Sequence, residues 1–431
     1  MRHTAPPLVR APRSSLASWS LAALVAGLAL GMVGHATGAP AFRAVERLLT
    51  PLGGAWLAAL QFLLLPLILS QLVSAIAGSG GGAGREVGKL GFQSIALFVT
   101  MLLVAGALTF VIAQPLTRLY DADPSFAAGT KATAPADPTK AEGWPTNPVE
   151  AARKGQILPL LIFAAAFAAA VTRLPDGRRA QLAEIFRSIA EAMMTVVRWV
   201  LVATPVGVFA LTYAAALDAG GGVAGMMGAF IVLVCVLLAL FVVLLYPVTA
   251  IAAKIPMRTF AKAAAPAQLV AVSTLSSLAA LPALVQGGVD HLRLPQRFTG
   301  FVLPLCVSVF KMNRTISSTA KLVFLAHVYG IPLSATTVVI FMLSVTLLSF
   351  GAAGVPNGGQ AFSTLPAYVA AGMPMEGVIL LEATSMAPDM LKTVVNVTAD
   401  MSVAAILSRS SRTAHEVADL AVDARELEGA A

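Results

Sequence analysis

The sequence predicts an all-α polytopic membrane protein with eight transmembrane helices and two re-entrant helical hairpins. Three observations support this fold class. The 431 residues are 58% hydrophobic and only 12% charged, whereas soluble domains carry about 25% charged residues. Apolar stretches long enough to cross a bilayer recur along the chain. Two further apolar stretches are interrupted by serine, glycine or proline, which is typical of segments that enter a membrane and return.

The composition also argues against several classes of function. The formal net charge is +8, but the basic residues cluster between apolar spans, where they set membrane orientation rather than bind nucleic acid. Cys235 and Cys306 both lie in apolar runs, so we expect two buried thiols and no disulfide framework. The sequence contains no nucleotide-binding loop, metalloprotease motif or hydrolase elbow. We therefore expect a protein that is not an enzyme and that holds no organic cofactor.

Eight apolar stretches are predicted to be transmembrane helices. They cover residues 16–36, 44–77, 90–113, 155–172, 185–215, 223–253, 298–329 and 377–408. Arginine and lysine are concentrated in the N-terminal tail (1–15), in alternate loops and in the C-terminal tail (409–431). The positive-inside rule then predicts a multi-pass protein of the plasma (inner) membrane with both termini cytoplasmic. The long external loop 114–154 is rich in proline, glycine and threonine and is expected to be irregular.

Two other apolar regions fit no simple span. The stretch AQLVAVSTLSSLAALPALVQGG lies within residues 256–290, and FMLSVTLLSFGAAGVPNGGQAFSTLPAYVAAG lies within 335–372. The pieces on either side of each interruption are too short to cross a bilayer. Irregular backbone at membrane depth is tolerated where protein covers it or where it lines a cavity. We predict two re-entrant hairpins at a transporter binding site; two kinked helices or a structural plug are the alternatives.

Two of the predicted apolar helices carry charges. Lys311 and Arg314 interrupt the span 298–329 within VFKMNRTISS. The last span places polar side chains at three- and four-residue steps, along one helix face. They are Asp389, Lys392, Thr393, Asn396 and Asp400. A charge at the bilayer centre costs about 2.5–3.5 kcal/mol on insertion scales, so this stripe must face protein or water. It indicates a substrate and ion pathway, with a buried structural ion-pair network as the alternative.

Several of these stretches resemble the dicarboxylate/amino acid:cation symporter family, the glutamate transporters. STLSSLAALP resembles the tip of the family's first hairpin, SFGAAGVPNGG the tip of its second, and DMLKTVVNVTAD its substrate helix. The resemblance runs from about residue 16 to 410. It implies an elevator fold, in which a scaffold mostly within 16–253 holds a homotrimer together. Residues 254–408, with the third and sixth helices (90–113 and 223–253), would form the mobile transport domain.

The resemblance also implies roles for individual residues. The implied substrate-binding residues are Ser276, Ser277, Thr315, Ala353, Gly354, Val355, Pro356, Asp389, Lys392, Thr393 and Asn396. Asp389 matches the aspartate that pairs with a substrate amino group. Lys392 stands where the family has an arginine, so it keeps the charge and loses the bidentate fork. Asn396 and Asp400 match ligands of a sodium ion, the one ion that the resemblance implies.

One motif departs from the family. Where members read N-M-D-G-T, this chain reads K-M-N-R-T. The changes remove a carboxylate, which hard cations prefer as a ligand, and add two fixed positive charges. A cation-binding or tethered-cation site is therefore expected to comprise Lys311, Met312, Asn313, Arg314, Asn396 and Asp400. In the tethered-cation hypothesis, Lys311 or Arg314 stands in for a bound sodium ion. Binding of a more anionic substrate and static ion pairs are the alternatives.

The expected function is secondary active transport of a small anion, coupled to sodium or protons. Acidic amino acids such as glutamate and aspartate, or C4-dicarboxylates, are the substrates that the resemblance implies. The alternative is a transporter-derived facilitator or sensor that no longer couples to ions, because Lys311 and Arg314 replace the sodium sites. Membrane lipid and further copies of the chain are the expected partners, and nucleic acid is not.

Overall fold

A computed structural model describes most of the chain. It covers residues 13–78, 85–121, 147–148, 150, 157–295, 298–351, 364–385 and 387–429. Every regular element in these ranges is a helix, so the predicted all-α class is confirmed. The predicted tip of the second hairpin, with Ala353, Gly354, Val355 and Pro356, lies outside the described residues, as does most of the predicted loop 114–154.

The first half of the chain forms seven described helices, numbered here in chain order. They are α1 (Arg13–Thr37), α2 (Pro40–Gly78), α3 (Arg85–Thr117), α4 (Ile157–Val171), α5 (Asp176–Val202), α6 (Thr204–Ala219) and α7 (Gly222–Ala253). Helix α1 packs along α6, and α2 packs against α4, α5 and α6. Small residues allow the first of these contacts, since a Cβ atom at Gly31 would lie 2.6 Å from the carbonyl oxygen of Tyr213.

The second half contains shorter helices, apart from the last one, which has 41 residues. After α8 (Met257–Thr274) and α9 (Ser277–Asp290) come a π-helical turn (Phe298–Val302), α10 (Leu303–Val309), α11 (Met312–Val328), α12 (Ala335–Gly351), α13 (Leu365–Ala370), α14 (Met375–Ala383) and α15 (Asp389–Gly429). Among the described residues, three helical segments are long and apolar enough to cross a membrane: Leu90–Thr117, Gly222–Ala253 and Asp389–Arg409. The count of eight transmembrane helices therefore stays a prediction.

The structure breaks three helices that were predicted to be continuous. The span 185–215 is broken at Ala203, and proline occupies the first turn of α6. Proline fits there because the first helical N–H groups have no partner within the helix. The spans 298–329 and 377–408 are broken at charged motifs. Hydropathy missed all three breaks because the residues on both sides of each are apolar.

Helices α8 and α9 form a helical pair within the predicted hairpin 256–290. They pack against each other and are joined by a turn at Leu275, whose φ of 52° is left-handed. The two arms approach very closely, since a Cβ atom at Gly287 would lie 2.1 Å from the carbonyl oxygen of Ala263. Any larger residue at Gly287 must therefore separate the arms.

Helix α15 lies at the centre of the second half. It contacts α3, α7, α8, α9, α10 and α11. In its apolar window 72% of residues are buried inside the protein, against 28% for Leu90–Thr117. Its polar side chains also bond to its neighbours. Gln268 donates to the Thr398 hydroxyl at 2.8 Å, and Thr249 donates to the Ser402 hydroxyl at 2.7 Å. Thr398 and Ser402 lie on the face opposite the polar stripe, while Thr393, Asn396 and Asp400 of the stripe are themselves buried. Protein therefore covers both sides of α15, including most of the stripe.

We predict that Gly287→Ala lowers the melting temperature of the purified protein in detergent. The added methyl group would overlap the Ala263 carbonyl, and overpacking of this kind destabilises by about 1–3 kcal/mol. Gly225→Ala in α7 is the matched control, because nothing lies within 4 Å of its Cβ position. Equal melting temperatures for the two variants would contradict the close packing of α8 on α9.

Candidate substrate and cation site

The helix that carries the charged motif is interrupted at the motif itself. Helix α10 ends at Val309 and α11 begins at Met312; between them Phe310 has a ψ of 115° and Lys311 a ψ of 80°. The Lys311 ammonium group donates a hydrogen bond to the carbonyl oxygen of Val307 at 2.5 Å. A cation is favoured there because the last carbonyls of a helix lack partners and carry partial negative charge. Lys311 thus stabilises the break that the sequence analysis missed.

Asp400 lies on α15, near this break. It is completely buried, and neither carboxylate oxygen has a hydrogen-bond partner among the described residues. Its charge interacts with the ammonium group of Lys311, without a direct hydrogen bond. A buried carboxylate needs a compensating positive charge. The structure offers the Lys311 ammonium group for this purpose and leaves both carboxylate oxygens without a hydrogen bond.

A second contact joins α11 to the same face of α15. The backbone N–H of Asn313 donates to Oδ1 of Asn396 at 3.0 Å, and both Asn396 and the neighbouring Met312 are 5% exposed. Thr315 is also buried, and its hydroxyl group has no partner among the described residues. Lys311, Asn313, Asn396 and Asp400, four of the residues predicted for the cation site, therefore lie together on two facing helices.

The chain breaks a second time just before α15. Helix α14 ends at Ala383, and the predicted continuous span 377–408 is wrong here because α15 begins only at Asp389, directly after Pro388. A carboxylate in the first turn is stabilised by the partial positive charge of the helix N-terminus. The break therefore positions Asp389 at a helix end, where it is half-buried.

Lys392 binds the carboxylate of Asp389, which was predicted to bind a substrate amino group. Its ammonium group donates to Oδ1 of Asp389 at 3.1 Å and to the carbonyl oxygen of Ser385. The Thr393 hydroxyl donates to the carbonyl oxygen of Asp389 at 2.9 Å. Asp389, Lys392 and Thr393 thus lie together as predicted from their spacing, but they bond to one another.

The structure also shows a buried ion pair that the sequence analysis missed. Lys321 on α11 forms a direct salt bridge with Glu382 at the end of α14, and their side chains are 5% and 11% exposed. The Ser385 hydroxyl donates to Glu382 at 2.5 Å, and the Lys321 ammonium lies 5.6 Å from the centre of the Tyr368 ring. The seven-residue step from Arg314 to Lys321, two turns on one helix face, was the available signal.

Arg314 extends the cluster towards α12. It is 7% exposed, and its Nη1 atom donates to the carbonyl oxygen of Leu348 at 3.3 Å. Its Nη2 atom is buried without a hydrogen-bond partner among the described residues. Its charge interacts with that of Glu382, which is already paired with Lys321. Arg314 therefore bonds to α12 and Lys311 to α10, although the two residues follow each other closely in sequence.

Ser276 and Ser277, at the tip of the first hairpin, were predicted to bind substrate, but the structure shows other contacts for Ser276. The Ser276 hydroxyl accepts a hydrogen bond from the backbone N–H of Ala279 at 3.3 Å and so caps α9. Ser277 is 9% exposed. Neither side chain bonds to α15 within the described part of the chain. A substrate contact from Ser276 would have to use its hydroxyl in addition to the cap.

Comparison with known proteins identifies the family. Residues 16–410 match the sodium:dicarboxylate symporter family. The chain belongs to this family. The family consists of transporters and not of enzymes, so this symporter is a membrane transport protein. The resemblance noted in the hairpin and substrate-helix motifs is thereby confirmed.

The relatives of this symporter include bacterial and animal transporters. The proton/glutamate-aspartate symporter of Escherichia coli (strain K12) is 28% identical over 92% of this chain and 92% of its own length. The proton/sodium-glutamate symport protein of Bacillus subtilis (strain 168) is 29% identical over 91% of this chain and 92% of its own. Excitatory amino acid transporter 3 of Mus musculus is 27% identical over 61% of this chain and 50% of its own.

We predict that Glu382→Gln strongly destabilises the protein, because it leaves the buried Lys321 ammonium unpaired. Removing one partner of a buried pair typically costs about 3–5 kcal/mol. Adding Lys321→Met should restore most of the lost stability. Glu191→Gln is the control, since the Arg187–Glu191 pair is 66% and 69% exposed and contributes under about 1 kcal/mol. Thermal unfolding in detergent measures all four proteins, and an unchanged Glu382→Gln melting temperature would contradict the pair.

Proposed function

We propose that this symporter is a cation-coupled secondary active transporter of acidic amino acids, such as glutamate and aspartate, or of C4-dicarboxylates. One observation carries the proposal: the buried charged cluster on the facing helices α11 and α15, in a chain that matches the family over residues 16–410. Buried charges in membrane helices are rare and mark substrate and ion pathways. The names of the bacterial relatives support an acidic substrate.

The packing supports the proposed division into two bodies. Helices α1, α2, α4, α5 and α6 contact one another, as expected for a scaffold. Helices α3 and α7 contact α11 and α15, as expected for a transport domain built around α15, and α7 also contacts α6 of the scaffold. We propose that the scaffold mediates a homotrimer in the inner membrane, with both termini cytoplasmic as the positive-inside rule indicates.

Lys311 is the residue that we propose as the tethered cation. Its ammonium group is held by the Val307 carbonyl and interacts with Asp400, the residue that resembles a sodium ligand. No group of three histidine, cysteine, aspartate or glutamate side chains that could hold a metal ion occurs in the described residues. A sodium ion at Asn396 and Asp400 would need backbone and amide oxygens as further ligands. An ammonium group can supply the charge without them, and it can release a proton.

Uptake into liposomes tests the transport function directly. Labelled aspartate, glutamate and succinate are offered with a sodium gradient, with a pH gradient and with neither, and leucine serves as the neutral control. We expect an acidic substrate to accumulate against its gradient when protons flow inward, without sodium. Flux without accumulation would favour the uncoupled alternative. Uptake that requires sodium and ignores the pH gradient would refute the tethered cation.

The same assay tests Lys311. We predict that Lys311→Met lowers sodium-free uptake at least about tenfold, because Asp400 loses its compensating charge; a tenfold fall in rate corresponds to about 1.4 kcal/mol. Sodium should restore part of the activity by binding at Asp400. The control is Lys262→Met, which removes an exposed lysine on α8. Sodium-free uptake equal to that of Lys262→Met would show that Lys311 has no part in coupling.

Asp389 distinguishes the two substrate classes. An amino-acid substrate must displace the Lys392 ammonium from Asp389, whereas a dicarboxylate need not. We predict that Asp389→Ala reduces aspartate and glutamate uptake at least about tenfold, because the ammonium loses its carboxylate partner, and leaves succinate binding within about threefold. Liposome uptake of aspartate and glutamate and competition binding of succinate provide the measurements. If glutamate uptake survives unchanged, the assignment of the amino group to Asp389 is wrong.

A further inference from the structure

The charged side chains between α10 and Asp400 of α15 are unequal in number. Among the described residues of this region the cations are Lys311, Arg314, Lys321 and Lys392, and the buried or half-buried carboxylates are Glu382, Asp389 and Asp400. Glu376, at the start of α14, is exposed and does not enter this balance. Three cations have carboxylate partners: Lys321 and Lys392 through direct salt bridges, and Lys311 through its electrostatic interaction with Asp400.

Arg314 is the cation that remains in this part of the structure. None of the described carboxylates forms a salt bridge with it. The undescribed segment 352–363 cannot supply one, because its sequence contains no charged residue. Glu382 interacts with Arg314 at longer range but already binds Lys321. Within the described ranges, the interior therefore holds one guanidinium group that no carboxylate pairs directly.

The geometry of this guanidinium group points to an anionic ligand. Nη1 donates to the Leu348 carbonyl, in the last turn of α12. Nη2 is buried and has no partner in the described residues, and Arg314 as a whole is 7% exposed. An unpaired buried charge is strongly unfavourable, and a planar guanidinium group matches the geometry of a carboxylate. A bound carboxylate would satisfy both requirements.

We propose that Arg314 binds a carboxylate of the transported substrate through Nη2, while Nη1 holds the C-terminal turn of α12. One side chain then joins the substrate to the arm of the second predicted hairpin. The assignment rests on the proposed transport function and deepens it, since it makes a carboxylate the required group of the substrate. It also gives the two cations of the motif separate roles. Lys311 compensates the charge of Asp400, and Arg314 binds the carboxylate of the substrate.

Substitutions of Arg314 test this assignment in purified protein. Arg314→Gln should bind labelled succinate and aspartate roughly 10- to 100-fold more weakly than the wild type, because a hydrogen bond to a charged group is lost. Arg314→Lys should show a smaller loss, because the charge remains and the fork is absent. Arg409→Gln is the matched control: this arginine donates to the Ala252 carbonyl at 2.7 Å, at the end of another helix, and its loss should leave the affinities unchanged.

Stability without substrate gives a readout that a purely structural role would move in the opposite direction. Arg314→Gln removes an unpaired buried charge, so its melting temperature without ligand should equal or exceed that of the wild type. Succinate should raise the melting temperature of the wild type and not that of Arg314→Gln. A lower melting temperature together with wild-type affinity for succinate and aspartate would overturn the proposal.

Accessibility at the end of α12 tests the connection to the hairpin arm. A cysteine replaces the partly buried Phe350 in a Cys235→Ala, Cys306→Ala background, and its reaction with maleimide is followed. Succinate should slow labelling when Arg314 is present and have no effect in Arg314→Gln. Equal slowing in both would overturn the connection.

The outcomes for the wild type separate this inference from the transport function. Wild-type uptake of an acidic substrate, combined with unchanged binding by Arg314→Gln, refutes the role of Arg314 and leaves the transporter intact. If the wild-type protein neither binds nor transports aspartate, glutamate or succinate, the transport function is refuted, and the role of Arg314 with it.

Discussion

The interaction between Asp400 and Lys311 constrains the rest of the architecture. A carboxylate that is completely buried in a membrane helix is unstable unless a positive charge lies nearby. Lys311 lies at the interruption between α10 and α11, and its ammonium group stabilises that interruption through the Val307 carbonyl. The break between α10 and α11 therefore places Lys311 where it both caps α10 and interacts with the buried Asp400 of α15.

The other charges follow the same logic on a larger scale. Helix α11 carries positive charges, α14 negative charges and α15 both. Each direct pair joins groups at a helix end or across two helices. Such pairs add little stability relative to apolar packing, but they fix which helix faces meet. The Lys321–Glu382 pair thus fixes α11 against α14, and the hydrogen bond from Asn313 to Asn396 joins α11 to α15. In the α8–α9 pair, the close backbone approach at Gly287 fixes how the two helices pack against each other.

The sequence predicted what depends on periodicity and composition. The polar stripe from Asp389 to Asp400 lies on one face of α15 because a helix repeats every 3.6 residues, and the all-α class follows from the apolar runs. The helix breaks could not be predicted from hydropathy. At the break near Lys311, for example, the carbonyl that this lysine caps belongs to Val307, which is an apolar residue. The pairing of Lys321 with Glu382 was missed since 61 residues separate them. Lys392 was expected to face the substrate, but pairing with Asp389 depends on distances that spacing alone does not give.

The covalent attachment of Lys311 has a consequence for the electrical behaviour of such a carrier. A cation taken from solution crosses the membrane once in each cycle and is released. An ammonium group on the chain would cross with the loaded protein and return with the empty one, so it adds no net current over a full cycle. The membrane voltage would then act on this charge in each half of the cycle with opposite sign. Only the substrate and any dissolved ion bound beside it would be left to determine the net charge transferred.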